Sequence, residues 1–153
     1  MVIRVKIQRE DFDLQAETRS LAGISSAVGG VNTFIGVVRD INDNDNVSSL
    51  FLEHYPGMTE KQIKVIVAEA CDRWDVIAAT VIHRIGELHP GDQIVYVGVA
   101  SSHRGDAFDA CEYIIDYLKT RATFWKKEKT TDGERWLETR QSDFDAAQLW
   151  NDK

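Results

Sequence analysis

The sequence predicts an α+β fold with a mostly antiparallel sheet, and three observations predict it. Short β-branched runs, VNTFIGVVR and QIVYVGVA among them, recur at intervals too irregular for a repeating strand–helix unit. Two longer stretches, residues 58–74 and 103–121, carry apolar side chains at helical spacing. Turn formers, Pro90-Gly91-Asp92 and Thr130-Thr131-Asp132-Gly133, separate neighbouring strands by hairpin-sized gaps.

Val2, Ile3, Val5 and Ile7 read as a first strand, and residues 11–21 as a weak helix. Gly29-Gly30 breaks the chain before a strand over 31–39. Residues 40–46, DINDNDN, read as a polar, mobile loop; they lack the Gly and terminal Glu of a calcium loop. A strand follows over 47–54, then a turn at Tyr55-Pro56-Gly57. Ile63, Ile66, Val67, Ala70 and Trp74 give the first main helix its apolar face. Residues 78–85 and 93–100 are strands, the second a central one because β-branched residues crowd it. Ser101 or Ser102 can cap the second main helix, whose stripe is Ala107, Cys111, Ile114, Ile115 and Leu118. Residues 124–129 and 135–138 form a hairpin, and the polar tail from Arg140 has one anchor, Trp150.

At 153 residues the chain is expected to be one domain, 1–153, with a substantial core. No apolar run approaches the ~20 residues that span a bilayer, and the N-terminus lacks a secretory apolar segment, so a cytoplasmic location is expected. Cys71 and Cys111 are far apart and sit among apolar residues, which favours buried small hydrophobes over a zinc site or a catalytic thiol. His54, His83 and His89 show no metal-ligand spacing, and His83 reads as a hydrogen-bonded structural histidine. Serine-hydrolase, NTPase and dinucleotide motifs are absent. A net charge of −7 argues against a nucleic-acid partner.

Residues 119–129, KTRATFWKKEK, stand out against that charge. Lys119, Arg121, Lys126, Lys127 and Lys129 face one acid, Glu128, so this segment is +4 and the rest of the chain −11. Phe124 and Trp125 lie among the lysines and would desolvate them, which tunes an ammonium for proton transfer. The segment reads as a pocket for an anionic substrate, or as a solvated charged turn. His103 and Arg104 put two basic side chains at a helix N-terminus; either an oxyanion binds there or Asp106 and Asp109 offset the charge. Arg39 at a strand end suits a bidentate phosphate contact, or pairs with a surface acid such as Asp40. Arg104 and Lys119 sit fifteen positions apart, roughly 22 Å on one helix, so either there are two sites or one is assembled from two copies of the chain.

FIGVVR (34–39), LEHYPGMTEK (52–61), VIHRIGEL-PGD (81–92), VGVASSHR (97–104), DYLKTRA-FWKKE (116–128) and RWLETR (135–140) together resemble the large, catalytic subunit of molybdopterin synthases, the MoaE family. The likeness covers about residues 31–140; Thr123 departs from it, standing where proline is expected. The resemblance implies an α/β-hammerhead-type fold and a sulfurtransferase without cofactor or metal. A small ubiquitin-like carrier subunit would bring sulfur as a thiocarboxylate on its C-terminal Gly-Gly. The acceptor would be cyclic pyranopterin monophosphate (precursor Z), converted to the molybdopterin dithiolene. The assembly implied is a heterotetramer around a homodimer. By matched position, Lys119 and Lys126 would be catalytic. Val37, Val38, Arg39, His103, Arg104, Lys127 and Glu128 would bind substrate alongside them, and Arg140 would contact the phosphate across the dimer. Phe34, Phe124 and Trp125 would line the slot for the tail. The alternative is a non-catalytic module that binds a phosphorylated metabolite or an acidic protein tail.

Overall fold

The computed structural model describes residues 1–152. Two sheets form. The first has the order β1 (Val2–Gln8), β5 (Val76–Arg84), β7 (Gln93–Ser101), β2 (Gly30–Val37). Only β1 and β5 run parallel; β5–β7 and β2–β7 are antiparallel. The second has the order β3 (Ile41–Asn42), β4 (Asp45–His54), β8 (Phe124–Thr130), β9 (Gly133–Leu137), with β6 (Gly86–Leu88) also on β4. The expected α+β class with mostly antiparallel pairing is therefore what forms.

β7 is central because both of its faces are covered. Val95, Val97 and Val99 meet the two main helices, α2 (Met58–Arg73) and α3 (Arg104–Arg121), through Ile63, Ile66, Val67, Ala110, Cys111 and Ile114. Tyr96 and Ala100 face the other way, onto Phe12 and Leu21 beside α1 (Leu14–Ala22). Each fully buried Val, Leu or Ile contributes roughly 1.5–3 kcal/mol by leaving water, so this two-sided core holds the first sheet in place.

Four local expectations change. Residues 40–46 are a tight hairpin instead of an open loop: Ile41 pairs Asn46, Asn42 pairs Asp45, and Asp43 and Asn44 take φ of 51° and 66°. Positive φ at both central positions is the two-residue turn that matches strand twist, and Asp and Asn tolerate it. Neither serine caps α3. The N-cap is His103, without a side-chain bond, and the Ser101 hydroxyl donates to the Asp75 carbonyl at 2.6 Å while accepting the His103 N–H at 3.4 Å. β6 was not expected. Nor was α4 (Gln141–Gln148), which ends at a short 3₁₀ turn, Leu149–Asp152, holding the buried Trp150. Trp150 anchors the tail as expected, its indole N–H donating to Asp116 at 2.7 Å.

The α3–β8 connection is fastened to α2. The buried Thr59 hydroxyl donates to the Thr123 carbonyl at 2.8 Å and accepts the Tyr55 N–H. Gln62 Oε1 accepts the Thr123 N–H at 2.8 Å. Gln62→Leu would strand that N–H in a half-buried place, costing roughly 1–3 kcal/mol of stability. Urea unfolding of the variant checks this, and an unchanged midpoint refutes it.

Candidate active site

β8 alternates. Phe124, Lys126 and Glu128 face inward, while Trp125 and Lys127 face outward. α3 offers Lys119 to this cavity from its last turn. The end of β2, the β3–β4 hairpin and the start of α4 complete the walls. They enclose a cavity of about 360 Å³, the size of a small-molecule site. Val37, Val38, Arg39, Lys119, Phe124, Lys126, Glu128 and Arg140 all line it, so Arg140 lies in this chain's own cavity.

Lys126 is half-buried, and its pKa is lowered to about 8. Burial is the largest cause and the neighbouring Lys119 ammonium the next, while the Asp143 carboxylate on α4 acts in the opposite sense. His83 also lines the cavity. Its ring stacks on Phe124 at 3.9 Å between centroids, and Nδ1 lies 2.8 Å from the Arg84 carbonyl. That oxygen only accepts, so Nδ1 carries the proton and Nε2 is a bare acceptor. Burial pushes the His83 pKa down to about 3, so the ring is neutral and adds no third cation beside the lysines. His83 is thus the structural histidine expected, and a wall of the cavity as well.

Glu128 is 2% exposed and acts through neighbours. Its Oε1 accepts the Asn42 amide at 2.6 Å and lies 3.7 Å from Arg135 Nε. Asn42 Oδ1 in turn accepts from Arg39 Nη2 at 3.1 Å and from Arg140 Nη2. The two cavity arginines therefore converge on one amide oxygen.

Several expected members lie elsewhere. Lys127 does not complete the cavity wall: strand alternation turns it outward, onto Glu134 at 3.5 Å and over the rings of Phe51 and Trp136. Trp125 is exposed on that same outer side, and Phe34 is exposed on β2 outside the lining. Arg121 is a structural cation, held by Glu69 at 2.5 Å. His103 and Arg104 are exposed at the far end of α3, where this chain alone does not bring them to Lys119. Asn42, His83 and Asp143 were not anticipated as site residues. For Asn42 and His83 the one sequence signal was strand and hairpin register, which needs the pairing to be known; Asp143 sits on α4, in what the sequence presents as a polar tail.

The model of the MoaE protein family matches residues 7–121. The chain belongs to the MoaE family. It is 57% identical over 147 residues to a Vibrio cholerae protein named molybdopterin synthase catalytic subunit, covering 96% of this chain and 97% of that one. A solved MoaE protein of molybdopterin biosynthesis from Burkholderia ambifaria superposes with a TM-score of 0.84 at 49% identity, covering 99% of both chains. A Helicobacter pylori structure, solved as a complex of subunits 1 and 2 of molybdopterin-converting factor, shares the fold at TM-score 0.71 and 18% identity, covering 92% of each chain. Among the described residues, no helix is long and apolar enough to cross a membrane, and no three His, Cys, Asp or Glu side chains cluster as a metal site.

A lysine whose folded pKa is depressed destabilises the fold wherever it must stay protonated. That penalty is full below pH about 8 and disappears as pH rises toward the unfolded value near 10.5. Lys126→Met is therefore expected to raise stability at pH 7 by about 1–3 kcal/mol, with a smaller gain at pH 9.5. Chemical denaturation at the two pH values measures it, and a loss of stability at pH 7 contradicts the burial argument.

Proposed function

We propose that this chain is the catalytic subunit of a molybdopterin synthase, a sulfurtransferase that moves sulfur from a carrier thiocarboxylate to cyclic pyranopterin monophosphate. The observation that carries the reading is the pairing of Lys119 and Lys126 in one cavity with Arg39 and Arg140 at its rim. The arginines suit a phosphate monoester, which guanidinium groups can grip through two bonds. The lysines suit a reaction in which oxygen leaves and an acyl oxyanion forms.

In each transfer the thiocarboxylate sulfur bonds to a carbon of the pterin side chain while a substrate oxygen departs with a proton. Water then cleaves the thioester, leaving sulfur on the pterin and returning the carrier as a carboxylate. No oxidant is needed and no cysteine of this chain takes part, in keeping with the burial that pushes the Cys111 thiol up to about 12. Lys126, with its pKa about 8, is the group suited to donate and recover the proton near neutral pH. Lys119 supplies the adjacent charge for the oxyanion.

The carrier is a small ubiquitin-like subunit ending in Gly-Gly, a tail thin enough to pass Phe124. The Helicobacter pylori complex of two subunits supports a two-component enzyme of this fold. Two copies of this chain form the centre of a heterotetramer in the cytoplasm, and His103 and Arg104 reach the phosphate of the neighbouring copy's site. The dimer accounts for cations at both ends of α3. Light scattering should give twice the chain mass across micromolar concentrations; a monomer there removes the cross-subunit role.

Purified protein with thiocarboxylated carrier and substrate should form molybdopterin. Lys119→Ala and Lys126→Ala should each lower the rate at least a hundredfold with the fold intact. Lys126→Arg discriminates against a non-catalytic anion-binding module: binding survives if charge alone matters, whereas catalysis fails because arginine keeps its proton. Full turnover in both alanine variants overturns the assignment.

A further inference from the structure

We propose that Asn42 is the positioning residue of this site, an amide that reads the buried Glu128 carboxylate with one end and aims Arg39 and Arg140 at a shared phosphate with the other. The inference rests on the functional reading only in taking that phosphate to be the substrate's.

The orientation of the Asn42 amide is dictated, not optional. Glu128 Oε1 can only accept, so Asn42 must offer it Nδ2, which it does at 2.6 Å. Oδ1 is thereby turned toward the cavity rim, where Arg39 Nη2 and Arg140 Nη2 both donate to it. The backbone is fixed as well. Arg135 donates to the Asn42 carbonyl at 3.1 Å and to the Asp45 carboxylate, its hairpin partner, at 2.7 Å.

Both arginines are exposed, and such long side chains lose rotamer freedom when a ligand immobilises them. Holding the two at a common acceptor beforehand removes part of that loss. Without Asn42, Arg140 keeps Asp43 at 3.5 Å as an alternative partner and is drawn off the rim. The neutrality of the acceptor matters too. Residues 40–46 hold three aspartates, yet the residue facing both guanidinium groups is an asparagine. A carboxylate there would satisfy the arginines, repel an incoming phosphate and stand against Glu128.

The test uses the assembled enzyme and two variants, Asn42→Ala and Asn42→Asp. Inorganic phosphate binding is measured by calorimetry, and KM and kcat for the pterin monophosphate by turnover. Asn42→Ala should weaken phosphate binding and raise KM about tenfold, with kcat within about threefold of wild type, and should lower the melting temperature by a few degrees because Glu128 loses its amide donor. Asn42→Asp should be worse than alanine in both binding measures. A residue that merely supports the hairpin would lower the melting temperature or kcat and leave both KM and phosphate affinity alone. That pattern overturns the proposal, as does wild-type phosphate affinity in both variants. Because phosphate binding needs no turnover, an inactive wild-type enzyme would count against the sulfurtransferase reading while leaving the Asn42 result to stand or fall by calorimetry.

Discussion

Two ammonium groups in one partly desolvated cavity repel, and the rest of the site is organised around holding them there. Unit charges about 4 Å apart repel by roughly 4 kcal/mol at the effective dielectric of about 20 found near protein surfaces. Lys119 belongs to the last turn of α3 and Lys126 to β8, so the chain must reverse sharply between them. That reversal is gripped from outside by Thr59 and Gln62, while β8 is paired on both edges, to β4 and β9. With the pair held in place, burial first and the Lys119 charge second lower the pKa of Lys126, and the nearby Asp143 limits the fall. A proton made easy to lose near neutral pH is thus a consequence of burial beside a second ammonium.

Much of this was legible in the sequence, for identifiable reasons. β7 announced itself because burial on both faces demands an unbroken apolar run, and α2 and α3 because each buries one stripe. The lysine pair was visible as a cationic island in an acidic chain. The division of that island was not. Lys126 and Lys127 differ by one position, and only the strand register of β8 decides which enters the cavity. The β3–β4 hairpin was hidden because its turn, Asp43-Asn44, lies in a stretch uniformly rich in turn residues. α4 was hidden because it is short and its own apolar face is slight. It is placed by distant partners, with Tyr117 donating to the Ala147 carbonyl and Arg73 stacking over Trp150.

The acidic composition, which first set the cationic segment apart, proves to serve it. Glu69 takes Arg121, Glu134 takes Lys127, and Asp45 takes Arg135. Each pairing lies outside the cavity and keeps a cation of the same region from competing for an anionic ligand. Exposed pairs of this kind add little stability, so their value lies in sorting charge. Glu128 is the exception, a buried carboxylate among cations. It acts through Asn42 on the arginines of the rim, extending its influence to groups it does not touch.

Thr123 shows which of these constraints is primary. The MoaE-like pattern has proline at this position, and the residue before a proline is driven to extended geometry. Ala122 already has that geometry, with φ −87° and ψ 131°, although no proline follows it. A proline ring would fix the turn from within and would have no N–H to give. Threonine keeps the N–H, and Gln62 accepts it, so the same bend is fixed from the neighbouring helix. In this chain the bend that brings residue 119 toward residue 126 is held by α2, through Gln62 and Thr59.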